Sequence, residues 1–171
     1  PVLKGRIESL LERCGFASRG LFVMDGSRRS SHGNAYFTGL GNNKRIVLFD
    51  TLLERLTAPE VEAVLAHELG HFRLRHVSKR LLLTLALGLG GLYLLGWLAA
   101  RAEFYAAFNA GPPSAHMALA LFVLLLPVVT FWLSPLASAW SRRHEFEADE
   151  FADRHSDARE LASALVRLYK D

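Results

Sequence analysis

Residues 67–71 read His67-Glu68-Leu69-Gly70-His71, which is the HExxH pattern. Two histidines four positions apart on a helix lie about 40° apart around its axis, so they can bind one tetrahedral metal ion together. The glutamate beside the first histidine can reach a water molecule that the metal activates. The pattern therefore predicts zinc-dependent hydrolysis. The alternative is a chance match in a chain that contains seven histidines.

The residues before the motif predict the helix that the motif requires. Thr57 and Glu60 have the spacing of a capping box, and Pro59 falls in the first turn, where its missing N–H is harmless. We therefore expect a helix over residues 58–73. Gly70 disfavours a helix by about 1 kcal/mol relative to alanine. Its presence predicts that another element packs closely against this helix beside the metal site.

A hydrolytic zinc site needs three protein ligands and an open position, so HExxH requires a third ligand from elsewhere. The acidic segment 141–152 is predicted to be a helix and is the candidate donor. Glu145 and Asp149 share one face of that helix, and Glu147 points away from both. One carboxylate would bind the metal and the other would hold the free N–H of a histidine. The alternative is an acidic helix that is only solvated.

Short β segments are predicted over residues 20–24, 34–38 and 44–49. Together with the predicted helices they indicate a mainly α protein with a small three-stranded β-sheet beside the metal helix. An edge strand of such a sheet can bind an extended substrate peptide through backbone hydrogen bonds. A sheet that only supports the helix is the alternative.

Two long segments without Asp, Glu, Lys or Arg indicate a membrane protein. Residues 81–100 give 20 such positions and residues 116–140 give 25, and 20 helical residues span about 30 Å, the thickness of a bilayer core. Two buried helices of a soluble protein are the alternative. Basic residues precede the first segment and follow the second, so the positive-inside rule predicts a two-helix hairpin with the HExxH helix on the cytoplasmic side.

The remaining composition excludes several other classes. A single cysteine, Cys14, allows neither an internal disulfide nor a thiolate zinc site. The net charge of +3 is explained by the juxtamembrane arginines and lysines, and no nucleic-acid-binding module is present in the sequence.

If the HExxH helix continued past residue 73, His76 would point roughly opposite His67, so His76 is not expected to be a ligand. His144 is predicted to be a surface or interfacial residue rather than a ligand. The polar start at Pro1, without an initiator methionine, predicts a piece of a longer protein.

Four segments together resemble the type I CAAX prenyl proteases, which are integral-membrane zinc metalloproteases of the gluzincin type. They are residues 25–39, residues 43–52, the HELGH helix through His76, and the segment 141–152. The resemblance covers most of the chain in order and is more specific than HExxH alone. It implies a zincin-like (gluzincin) catalytic unit interrupted by a two-helix transmembrane hairpin.

The resemblance also implies roles for individual residues. His67 and His71 would be zinc ligands, Glu68 the general base and Glu145 the third ligand of one Zn²⁺ per chain, with Asp149 near the histidines. The strand at residues 34–37 would be the substrate-binding edge, formed by Asn34, Ala35, Tyr36 and Phe37, with the backbone of Asn34 and Ala35 nearest the scissile bond. The implied partners are a peptide or protein substrate, prenylated in the family, and the lipid bilayer.

The expected organisation is the N-terminal half of a zinc protease domain at residues 1–78, the hairpin at 79–140, and C-terminal helices at 141–171. The membrane would be a bacterial inner membrane or one of the endoplasmic-reticulum type. Full-length family members have seven spans and a histidine-containing segment after the acidic helix, which this chain lacks. Zinc binding is therefore a firmer expectation than catalysis. The alternatives are a catalytically impaired zinc-binding module and a membrane quality-control protease.

Overall fold

The computed structural model describes residues 2–16, 20–25, 35–38 and 45–169. Its elements within these ranges are α1 Val2–Arg13, β1 Leu21–Met24, β2 Ala35–Thr38, β3 Arg45–Phe49, α2 Asp50–Arg55, α3 Ala58–Arg73, α4 His76–Ala99, α5 Ala102–Ala106, α6 Ala115–His155 and α7 Ala158–Leu168. The chain divides into two compact units. The first consists of residues 1–76 and 143–171, and the second of residues 77–142.

Helix α3 is the centre of the first unit and carries the HExxH residues. Its N-terminus has the predicted capping box, in which Glu60 accepts from the Thr57 backbone N–H at 2.7 Å. Its apolar side is fully buried through Val61, Leu65 and Leu69. These residues pack in one hydrophobic core with side chains from α1, α7 and the sheet. Most of the helix is therefore fixed by burial, and this holds the motif in place.

The three strands form one sheet in the order β1-β3-β2. Strand β1 pairs with β3 in parallel, and β2 pairs with β3 in antiparallel register, with Ala35 opposite Leu48. Ile46 and Leu48 alternate into the core with 1% and 0% exposure, which is the period-two pattern of a half-buried strand. The predicted three-stranded sheet is confirmed, and β2 lies at one of its edges. Asn34 lies outside the described residues.

The chain leaves helical geometry between α3 and α4, at Arg75. This residue has a φ of 57°, in the left-handed region that a non-glycine residue rarely adopts. Helix α3 therefore ends at Arg73, and the next helix, α4, begins at His76. The extrapolation of one continuous helix as far as His76 was wrong, and with it the predicted orientation of that histidine.

The second unit is built around the long apolar helices α4 and α6. Both are long and apolar enough to cross a membrane, and 0% and 11% of their most apolar windows are buried inside the protein. Buried helices of a soluble core would be covered by the rest of the chain, so this exposure contradicts that alternative. The Arg80 guanidinium donates to the Ser141 hydroxyl at 3.4 Å, and the Gly91 position lies against the Phe122 ring, as in a hairpin.

Helix α6 runs without interruption through Pro127, Pro135 and the acidic segment. A proline at 135 cannot donate to the Phe131 carbonyl, and the Ser134 hydroxyl donates to it instead, at 2.8 Å. No glycine or proline lies between residues 136 and 152. As a result, the second span and the acidic helix, which were predicted as separate elements, form one helix of 41 residues.

Candidate metal centre

His67 and His71 lie on one face of α3 and direct their Nε2 atoms toward the same point. These two atoms are 3.1 Å apart. Glu145 of α6 places its Oε2 3.6 Å from His67 Nε2 and 3.5 Å from His71 Nε2. The three side chains are called the outer triad below, and each offers one ligand atom to a common site.

The dimensions of the outer triad fit a tetrahedral ion. Ligand atoms about 2.05 Å from a tetrahedral zinc ion lie about 3.3 Å from each other. The three separations in the outer triad, 3.1, 3.5 and 3.6 Å, are all within a few tenths of that value. The arrangement can form a metal site of two nitrogens and one carboxylate oxygen, with a fourth position open.

Asp149 determines which ring nitrogen of His67 carries the proton. Its Oδ1 lies 2.8 Å from His67 Nδ1. Since a carboxylate accepts, His67 donates from Nδ1, and the neutral ring then has its lone pair on Nε2, directed at His71 and Glu145. Electron pairs on facing nitrogens and a carboxylate repel one another unless a cation lies among them. The donor chemistry of the outer triad therefore fits a divalent metal ion.

Burial keeps the second histidine in the same ligand form. It lowers the pKa of His71, and the neighbouring His67 lowers it further, while Glu145 opposes the shift. A lowered pKa favours the neutral imidazole, which is the form that binds metal.

Glu68 lies beside the triad in a partly enclosed site. Burial raises the pKa of the Glu68 carboxyl above its ordinary value, the charge of His67 opposes this, and the charge of Glu145 adds to it. Glu68 and His67 line a cavity of about 170 Å³ whose other walls are mostly aliphatic. Those walls are formed by Ala35, Leu52, Val64, Leu161, Leu165 and Leu168.

Gly70 allows α6 to approach α3 closely enough for Glu145 to reach the histidines. A Cβ at position 70 would lie 3.1 Å from the Cα of Ala148 and 3.1 Å from the Cβ of Phe151. The predicted close packing at Gly70 is confirmed, and the partner element is the acidic part of α6.

The strand residues proposed to bind substrate have different surroundings. Ala35 is buried and lines the cavity beside Glu68. Tyr36 is exposed and its ring contacts that of Phe49. Phe37 packs into the core against the rings of Phe16 and Phe72. Of the three described residues, Ala35 is the one that shares a cavity with His67 and Glu68.

Sequence reasoning missed a second group, His76, His144 and Glu147, called the inner triad below. His76 and His144 are 4% and 5% exposed, so His144 is buried, contrary to the surface position that was one of its two predicted placements. Their rings stack at 4.1 Å between centroids. His76 also lies 2.9 Å, nitrogen to nitrogen, from His71. No glycine or proline between residues 71 and 76 signals the turn that brings these residues together.

Comparisons with known proteins agree with this fold. The profile described as peptidase family M48 matches residues 1–170. The chain therefore belongs to peptidase family M48.

Several relatives share almost the whole chain. The CAAX prenyl protease 1 homolog of Mus musculus is 35% identical over 99% of this chain and 44% of its own length. CAAX prenyl protease 1 of Saccharomyces cerevisiae is 36% identical over 97% of this chain and 40% of its own length. The crystal structure of S. mikatae Ste24p superposes with a TM-score of 0.81 at 36% identity, covering 97% of this chain and 42% of that one. The chain thus spans less than half the length of these relatives.

Proposed function

We propose that this chain is the catalytic part of a zinc-dependent integral-membrane endopeptidase. The observation that carries the proposal is the outer triad, in which two histidine nitrogens and one carboxylate oxygen converge at tetrahedral spacing. His67, His71 and Glu145 would hold one Zn²⁺. A fourth ligand position would remain open for water, and Glu68, which lines the cavity beside His67, would act on that water.

The chemistry divides between the metal and Glu68. A bound zinc ion lowers the pKa of its water to about 7 and polarises the scissile carbonyl. The Glu68 carboxylate accepts the proton of the attacking water and then donates it to the leaving amine. Burial at Glu68 raises its pKa toward that of such a water, which favours this proton transfer. Asp149 holds the His67 ring in the orientation that the site needs.

The proposed substrate is an extended peptide lying along β2. Ala35 and Glu68 line the same cavity, so a peptide added as a strand along β2 would bring a peptide bond toward the outer triad. Asn34, the other residue expected at this edge, lies outside the described residues. The aliphatic cavity of about 170 Å³ next to Glu68 suits a small aliphatic side chain next to the scissile bond. The relatives are named CAAX prenyl proteases, which supports prenylated CAAX-type tails as the substrate class.

The proposed organisation is one protease domain, residues 1–78 and 141–171, interrupted by a membrane hairpin at 79–140. Two exposed apolar helices, each long and apolar enough to cross a membrane, support a membrane protein. Arg73, Arg75, Lys79 and Arg80 lie before the first span and Arg142 and Arg143 after the second. By the positive-inside rule this distribution favours a cytoplasmic catalytic side.

The test is Glu68→Gln in the detergent-solubilised chain, with zinc content and cleavage of a farnesylated CAAX peptide measured together. We expect zinc content to stay at one per chain while the cleavage rate falls by about 10²–10⁴, the usual contribution of a general base. Glu8→Gln is the matched control, since Glu8 is exposed on α1 and pairs only with Lys4 among the described ion pairs. Unchanged cleavage by Glu68→Gln would overturn the assignment. Zinc binding by a wild type that cleaves nothing would favour the non-enzymatic zinc module.

A further inference from the structure

A series of contacts leads from the second metal histidine into the protein. His71 Nδ1 lies 2.9 Å from His76 Nδ1, and His76 Nε2 lies 3.1 Å from Glu147 Oε2. The other oxygen of Glu147 accepts from Arg143 Nε at 2.9 Å. His71 is therefore joined through His76 to a carboxylate that is itself paired with an arginine.

The Glu147 carboxylate at the end of this series determines which nitrogen of each histidine carries a proton. The Glu147 carboxylate accepts, so His76 donates to it from Nε2. A neutral His76 then has its lone pair on Nδ1, where it accepts the Nδ1–H of His71. His71 in turn has its lone pair on Nε2, the atom that faces His67 and Glu145.

We propose that His76 is a positioning residue for the metal site, holding His71 in the tautomer and ring orientation that bind zinc through Nε2. This inference rests on the proposed zinc site and adds a residue to it. Asp149 does the same for His67 by direct contact. Each metal histidine would then have its own partner, one a carboxylate and the other a histidine backed by a carboxylate.

The surroundings of His76 suit a fixed ring. It is 4% exposed and stacks on His144 with an interplanar angle of 11°. The left-handed backbone at Arg75 ends α3 and redirects the chain, so that His76 returns toward the metal helix. A ring bonded at both nitrogens and covered on one face has little rotational freedom.

The inner triad could in principle hold a second metal ion, because its ligand atoms are close together. Its geometry argues against this. The in-plane lone pairs of two nearly parallel rings stacked at 4.1 Å run side by side and do not converge on one ion. Both nitrogens of His76 also have protein partners. A second metal is therefore an alternative outcome of the test.

The test measures zinc affinity by chelator competition and zinc stoichiometry in the full chain. We expect His76→Ala to weaken zinc binding about 10–100-fold, the usual effect of removing such a partner. His76→Asn should recover part of the loss, because its side-chain oxygen can take the place of Nδ1 and accept from His71. A purely structural role for the ring would give no such recovery. His155→Ala is the matched control, since His155 bonds to the Phe151 carbonyl within α6, and its affinity should equal that of wild type.

A second pair of variants covers the case in which His76→Ala does not fold. Glu147→Ala should weaken zinc binding several-fold, whereas Glu150→Ala on the same helix, which pairs with Arg154, should not. Wild-type affinity in folded His76→Ala or in Glu147→Ala would overturn the inference. Two zinc ions in wild type and one in His76→Ala would overturn it in favour of a second metal site. Absence of zinc from wild type would instead overturn the proposed function.

Discussion

The outer and inner triads each contain two histidines and a glutamate, and both join the end of α3 or the start of α4 to the same part of α6. In the outer triad the Nε2 atoms of His67 and His71 are 3.1 Å apart, and the two imidazole rings are inclined by 79° to each other. In the inner triad the rings are nearly parallel and buried. The same residue types therefore form a metal-binding arrangement in one case and a hydrogen-bonded support in the other.

The difference follows from how each pair of histidines is placed. His67 and His71 are four residues apart on one helix, a spacing that directs both rings to one side. His76 and His144 come from different helices and meet face to face. Ligand composition is thus a weak guide to metal binding, and the convergence of lone pairs is the property that distinguishes the two triads.

The largest expected difference is between the two glutamates. Glu145→Ala would remove a proposed metal ligand, whereas Glu147→Ala would remove the proposed support of His76. Structural zinc sites with four protein ligands bind with about 10–16 kcal/mol, roughly 3 kcal/mol per ligand, so Glu145→Ala should weaken zinc binding by at least about a hundred-fold. Glu147→Ala should weaken zinc binding only several-fold. Chelator competition measures both, and equal losses would mean that the triads are not functionally distinct.

The next prediction concerns the support of His67 by Asp149. Asp149→Ala should weaken zinc binding about 10–100-fold, because His67 loses the acceptor of its Nδ1–H. Asp149→Asn retains an acceptor oxygen and should lose less. Asp153→Ala, one turn further along α6, is the control. Affinity in Asp149→Ala equal to that of the control would remove the role assigned to Asp149.

The last expected effect is on stability and not on zinc affinity, and it concerns the packing of α3 against α6 that both triads share. Gly70→Ala places a methyl group 3.1 Å from the Ala148 backbone, and Gly5→Ala on α1 meets nothing within 4 Å. Both substitutions gain the same helix preference, so their difference isolates the clash, and overpacking of this kind costs about 1–3 kcal/mol. Thermal unfolding in detergent should show Gly70→Ala as the less stable variant. The opposite order would mean that α6 can move away from α3 without cost.

Several parts of this structure could be predicted from the sequence because they depend on local pattern. The capping box at Thr57 and Glu60 located the start of α3, and Gly70 indicated the close approach of another element. The three short strands were also found. Helical spacing placed Glu145 and Asp149 on one face, and the structure brings both to the metal histidines.

The inner triad could not be predicted because it depends on one backbone conformation. Nothing in the residue types signals the left-handed φ at Arg75, since arginine rarely adopts it. The burial of His144 depends on the return of His76, which is a tertiary contact between residues 68 positions apart. The continuity of α6 was missed for the opposite reason. A change from apolar to acidic composition was interpreted as the end of an element, although no helix-breaking residue lies there.

The most direct test of the zinc site is anomalous diffraction at the zinc absorption edge from crystals of the zinc-loaded protein. The account predicts one anomalous peak, within about 2.0–2.2 Å of the Nε2 atoms of His67 and His71 and of a Glu145 carboxylate oxygen, and none at the inner triad. A peak coordinated by His76 or Glu147, or a zinc site that lacks Glu145, would contradict it.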